Sequence, residues 1–184
     1  MPASPIMRKV ENLAMADRET IGCRFGESCD PRLLVKIYDL SIILETKSDY
    51  NLFYDRETSP TFPAEWSGVT LRLPNFNHLM LINLNHAKIR RTFTIAHEFG
   101  HLVYCHQPTK IALDASPNEY AVRFDQKQEF EAFVYGMSIL LPYAPLLQML
   151  QQKASIIGIA NHYGVSKSAV EFRMKVSGLW GLQF

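Results

Sequence analysis

The sequence predicts an α+β domain in which a small antiparallel sheet packs on one functional helix. Three observations predict it. Strand-like stretches come first, at 41–46, 69–73 and 79–84, and helical periodicity takes over after residue 92. A hydrophobic content of 47% over 184 residues supplies one packed core. No repeat or low-complexity tract suggests an array or a disordered chain.

Residues 6–20 read as a short helix with Ile6, Val10, Leu13 and Ala14 on one face, ended by Gly22 and Gly26. Asp30-Pro31 is a helix start, an N-cap acid followed by proline in the first turn. Leu33, Leu34, Ile37 and Tyr38 give that segment its apolar side. Strands are expected at 41–46 and 50–54, then a polar loop over 55–67 with Pro60 and Pro63. The runs 69–73 and 79–84 flank Pro74-Asn75-Phe76-Asn77 and read as a hairpin. A helix over about 92–105 follows, then a loop, then a longer helix over about 125–141. Residues 132–152 carry no charge, but Pro142 and Pro145 interrupt the run, so two buried helices are expected there and no membrane span.

A net charge of +1 gives no global field for nucleic acid or membrane. Cys23, Cys29 and Cys105 form no C-x-x-C pair, and Met1–Pro5 opens no apolar run. Both features point to reduced thiols, no signal peptide and a cytoplasmic location.

The chemistry is stated at His97-Glu98-Phe99-Gly100-His101. Two histidines four apart on a helix leave the same face, where their ring nitrogens can reach one Zn²⁺ at roughly 2.0–2.1 Å. Glu98 is then placed to take the proton of an attacking water, as the pattern H-E-x-x-H requires of a metalloprotease. A third ligand is needed. The extended H-E-x-x-H-x-x-G-x-x-H motif is excluded by Tyr104 and Gln107. Cys105 lies about 12 Å from His97 along a helix, too far to share its ion. His106 points elsewhere or follows the helix end, and His78 and His86 belong with the hairpin. The carboxylates in the apolar helix 125–141, Glu129 and Glu131, are better candidates, because such groups are costly there unless paired or metal-bound. Glu129 shares a face with Ala132 and Gly136, whose small size lets the metal helix come close. Glu131 shares one with bulkier Val134 and Tyr135. That favours Glu129.

The segment from Arg91 to His101, and the segment from Glu129 to Pro142, together resemble the ImmA/IrrE family of metallo-endopeptidases, and the resemblance extends weakly over most of the chain. It implies a zincin-like fold of the gluzincin kind, with His97, His101 and Glu129 as zinc ligands and Glu98 as general base. It further implies cleavage of a helix-turn-helix repressor, often encoded nearby. One position departs. Phe133 stands where the family pattern has Asn or Asp, a residue able to orient a ligand histidine, so its absence weakens the site or leaves that task to another group. Tyr104, His106, Tyr135 and His162 remain open as oxyanion donors.

Residues 156–174 show a helix-turn-helix pattern, with Ala160, Gly164 and Val170 in place and Ser166 as N-cap of the second helix. From Lys153 onward Lys153, Lys167, Arg173 and Lys175 against Glu171 give +3, a thin basic face for DNA. We therefore expect these helices to close the core, with Val165, Val170, Phe172, Met174 and Leu179 inward and Lys167 and Arg173 exposed. The organisation is a metallopeptidase core over 1–152 and a helical extension over 153–184 packed on it. The function expected is a zinc endopeptidase acting on a protein, with an extended substrate segment aligned along the strand 79–84. The rivals are a DNA- or protein-binding regulator with a weak or silent protease site, and the toxin of a two-gene toxin–antitoxin module.

Overall fold

A computed structural model describes residues 5–38, 40–46, 67–72, 78–106, 112–113, 120–121 and 125–182. The expected strand at 50–54, most of the loop 55–67 and the hairpin turn at 74–77 lie outside the described residues.

Helix α1 spans Pro5–Thr20. Its inward face is Met7, Val10 and Ala14, joined by three charged residues, Glu11, Asp17 and Arg18. Ile6, expected inward, is half exposed. Asp30 caps a 3₁₀ segment, Pro31–Lys36, by accepting from the Arg32 N–H at 3.0 Å. The loop between these elements holds Cys23 and Cys29 as free thiols with sulfurs 2.7 Å apart, and burial pushes the Cys29 thiol up to about 12.

Three strands follow: β1, Leu40–Thr46; β2, Gly68–Arg72; and β3, His78–Asn83. Their order is β1-β3-β2. β2 and β3 are the antiparallel hairpin pair, with Thr70 opposite Met80. β1 runs parallel to β3, so the sheet is mixed within the expected α+β class. This order corrects the expectation that substrate aligns along 79–84: β3 is the central strand and both its edges are already paired.

Helix α2, Lys88–Val103, starts a turn earlier than the sequence suggested and buries Ile95, Ala96 and Phe99 completely. A short antiparallel pair, β4 (Ala112–Leu113) and β5 (Tyr120–Ala121), was not anticipated. Helix α3, Gln126–Leu140, is capped by Asp125, which accepts from the Lys127 N–H at 2.9 Å. α2 and α3 meet through small residues. A Cβ on Gly100 would stand 2.6 Å from Ala132 Cα, and one on Gly136 would stand 2.9 Å from the His97 nitrogen. Neither approach tolerates a larger side chain.

Pro142 ends α3 and opens α4, Tyr143–Gln151, at a bend of 54°. Among the described residues no single helix is long and apolar enough to cross a membrane. Helix α5, Ile156–Tyr163, ends at Gly164 with φ +65°, the left-handed turn that glycine adopts without strain. Helix α6, Lys167–Val176, is capped by Ser166, which accepts from the Ala169 N–H at 3.1 Å. Ile159, Tyr163, Val165, Val170, Met174 and Leu179 join the common core.

The inward face of α6 keeps Val170 and Met174 as expected but takes Arg173 in place of Phe172. Phe172 is 44% exposed and Arg173 is fully buried. Arg173 donates to Glu11, to Ser138 Oγ at 3.2 Å and to the Leu141 carbonyl at 3.0 Å. With these partners a guanidinium fits the interior, while the Phe172 ring rests edge-on against Phe133 at 5.0 Å.

Candidate metal centre

His97 and His101 project from the same face of α2, with ring centroids 4.8 Å apart. Glu129, in the first turn of α3, reaches between them. Its Oε2 is 3.3 Å from His97 Nε2 and its Oε1 is 3.5 Å from His101 Nε2, while the two Nε2 atoms are 3.1 Å apart. The Gly100–Ala132 and Gly136–His97 contacts fix this separation by holding the two helix backbones together.

These side chains fit a metal. Ligand bonds of about 2.0–2.1 Å in a tetrahedral shell put neighbouring donor atoms about 3.3 Å apart, and the separations here bracket that value. Two imidazoles and a carboxylate are also a donor set that catalytic zinc takes while keeping a position open. Electrostatics agree. Hydrogen bonds from His101 and then His97 hold the Glu129 carboxyl at about 2, against burial that works the other way. For His101, burial disfavours the charged ring, but the Glu129 hydrogen bond and the Glu98 and Glu129 charges outweigh it and raise the ring above its ordinary 6.5. The group is the one set of metal-ligating side chains in such proximity among the described residues.

Glu98 lies beside the two histidines on α2 and reaches the sheet. It is 8% exposed, and its Oε2 accepts a hydrogen bond from Thr70 Oγ1 on β2 at 2.8 Å. Thr70 was not singled out from the sequence. It lies 28 residues before Glu98 in a strand of ordinary composition, and only the hairpin register brings the two together.

The two ligand histidines have different surroundings. On the His101 side, α2 ends in a Schellman turn: the Cys105 N–H bonds to the Leu102 carbonyl at 3.0 Å and the His106 N–H to the His101 carbonyl at 2.9 Å. Cys105 takes the left-handed position, φ +50°, where glycine is usual. The chain reversal swings His106 back over His101, so that the two Nδ1 atoms are 3.0 Å apart. His106 Nε2 faces Glu131 Oε2 at 3.3 Å. The Tyr104 ring stacks on His106, centroids 5.6 Å apart and planes 18° from parallel. Burial pushes His106 down, partly offset by its bond to Glu131. On the His97 side, Nδ1 is buried without a hydrogen-bond partner among the described residues. Aromatic rings occupy that region: Phe93 lies 6.3 Å from His97, and Phe133 packs on Phe93 at 5.2 Å.

The remaining candidates fall elsewhere. Tyr135 donates to Asp17 at 2.6 Å within the core, and His162 bonds to the Gly26 carbonyl at 2.7 Å. Cys105 is exposed on the turn. His78 lies in β3 opposite Arg72, and His86 in the turn before α2.

A comparison with curated proteins finds no match for the sequence. The family model described as the IrrE N-terminal-like domain, a peptidase family, matches residues 49–175, a span that holds β2, β3, the whole candidate centre and nearly all of α6. With that span matched over a mixed sheet, a histidine-bearing helix and a glutamate-bearing helix, the chain belongs to the ImmA/IrrE family of metallopeptidases and has its zincin-like α+β fold.

Proposed function

We propose that the protein is a cytoplasmic zinc endopeptidase of the H-E-x-x-H type whose substrate is a helix-turn-helix transcriptional repressor. The observation that carries the enzyme reading is the meeting of His97, His101 and Glu129 around one point, with Glu98 buried on the helix that bears the two histidines. The substrate reading rests on family membership.

His97 Nε2, His101 Nε2 and the Glu129 carboxylate would hold the ion. When bound, zinc supplies Lewis acidity that polarises the scissile carbonyl and brings the ionisation of water near neutral pH. Glu98 takes a proton from the attacking water on a carboxylate oxygen and returns it to the leaving amine nitrogen. Thr70 Oγ1, donating to Oε2, fixes the plane of that carboxylate and anchors it to the sheet. Among the described residues β2 has a neighbour on one side only, so an extended substrate segment would add to β2, the strand that carries Thr70. The regulator reading is weakened by α6, because Arg173 is committed to Glu11 in the interior and is unavailable to DNA.

The test is incubation of zinc-loaded protein with the helix-turn-helix regulator encoded beside it, read by intact mass. Two fragments whose masses sum to the regulator plus one water support the proposal if Glu98→Gln gives none. Fragments that persist with Glu98→Gln would overturn it.

A further inference from the structure

We infer that His106 and Glu131 are positioning residues for the metal ligand His101, through the chain His101 Nδ1–His106 Nδ1–His106 Nε2–Glu131 Oε2. The inference rests on the reading of His97, His101 and Glu129 as ligands.

The proton count closes along this chain. A histidine that ligates through Nε2 carries its proton on Nδ1, so His101 Nδ1–H donates to His106 Nδ1 across 3.0 Å. His106, accepting there, is the tautomer protonated on Nε2, and that N–H donates to Glu131 Oε2 across 3.3 Å. No atom in the chain is asked to donate twice or to accept where it must donate. One tautomer of each ring satisfies every link, and the carboxylate ends the chain as a pure acceptor. A ligand histidine whose distal nitrogen is held this way keeps one orientation and binds metal more strongly.

The backbone is committed to the same end. Only a left-handed residue after α2 reverses the chain enough to lay His106 over His101, and this chain places a non-glycine, Cys105, in that conformation. The His106 side chain is 6% exposed and pinned from the other face by Tyr104. The arrangement also answers the departure at residue 133. Phe133 offers no acceptor and His97 Nδ1 has no partner among the described residues, whereas the opposite end of the helix supplies one to the other histidine.

Cobalt(II) is the probe. Its affinity is measured by competition with a chromophoric chelator, its geometry by the visible spectrum, and folding of each variant by circular dichroism. His106→Ala and Glu131→Ala should each weaken binding by about 10- to 100-fold and alter the band shape. Glu131→Gln, which keeps an acceptor oxygen, should stay within about threefold of the parent. The double variant His106→Ala/Glu131→Ala should be no weaker than His106→Ala alone, since both cut one chain. If Glu131→Ala, folded, binds cobalt with parental affinity and spectrum, the inference is overturned. His97→Ala and His101→Ala are the controls for the underlying site. Should they retain a full equivalent of cobalt, the ligand assignment itself fails, and the inference with it. Should they lose it while His106→Ala and Glu131→Ala do not, only the inference falls.

Discussion

Toward α1, helix α3 presents Ser138 to a buried carboxylate, Glu11, that also receives the Tyr143 N–H and the Arg173 guanidinium. Toward α2, the same helix presents Glu129 to two imidazoles whose nitrogens crowd one another at 3.1 Å. The first cluster is closed to solvent: Glu11 is 4% exposed and each of its carboxylate oxygens has a donor, though Arg173 Nη1 has no partner among the described residues. The second is open: Glu129 is 36% exposed, and His97 Nδ1 has no partner among the described residues. A carboxylate whose oxygens are all taken in the interior holds a protein together, while one left half open among converging imidazoles is arranged for something else.

The sharpest way to break this comparison is to remove a group on the open side. Glu98→Gln should leave metal content at one equivalent and lower hydrolysis by about 10²- to 10⁴-fold, the usual contribution of a positioned base. Elemental analysis beside a cleavage assay checks both halves, and loss of metal would mean Glu98 is a ligand. On the closed side, Arg173→Ala should cost about 3–5 kcal/mol in denaturant unfolding, because it leaves Glu11 charged and buried without its main partner. A cost below 1 kcal/mol would show that Glu11 finds water, and that the cluster is not closed.

Phe133→Asn tests the contrast between the two histidines. An acceptor near His97 should tighten metal binding by about tenfold, at a stability cost of about 1–3 kcal/mol for the ring lost from between Phe93 and Phe172. Unchanged affinity would mean that His97 needs no such support. Acidity separates the clusters further. Glu129, held at about 2 in the fold against an ordinary 4.5, stabilises above pH 4.5 and loses that contribution as pH falls toward 2. His101, raised above 6.5, stabilises below that value and loses its contribution as pH rises through the raised one. In chelator-treated protein the advantage of the parent over Glu129→Gln in melting temperature should therefore peak between about pH 4.5 and 6.5. An advantage that grows steadily to pH 9 would contradict it. The smallest effect is expected from Lys167→Ala, which removes an exposed pair with Glu171 at 3.5 Å and should shift stability by less than about 1 kcal/mol.

Much of the open cluster was legible in the sequence because helical spacing writes it there. Two histidines four apart share a face, and Ala132 and Gly136 mark where a neighbouring helix comes close. The closed cluster was not legible. Glu11 and Arg173 are 162 residues apart, and no local pattern distinguishes a buried charge from a solvated one. The same lack of local signal hid the exchange of Phe172 for Arg173 on the inner face of α6. His106 is a candidate oxyanion donor by sequence, but its place against His101 is not legible, because it depends on a left-handed turn at a cysteine, where composition gives no glycine to announce it. β1 was legible as a strand, but its parallel pairing with β3 depends on a connection that periodicity cannot trace.

The closed cluster also bears on where this protein can be cut. The family match begins at residue 49, yet Glu11, Asp17 and Arg18 come from α1, well upstream. Asp17 receives the Tyr135 and Tyr38 hydroxyls, and Arg18 caps the Ile139 carbonyl. A chain begun at residue 49 would keep every proposed ligand and still expose one whole side of α3, with Tyr135 deprived of Asp17 and Arg173 of Glu11. The stretch that identifies the family is thus shorter than the stretch that must fold together, and a minimal active fragment has to start no later than α1.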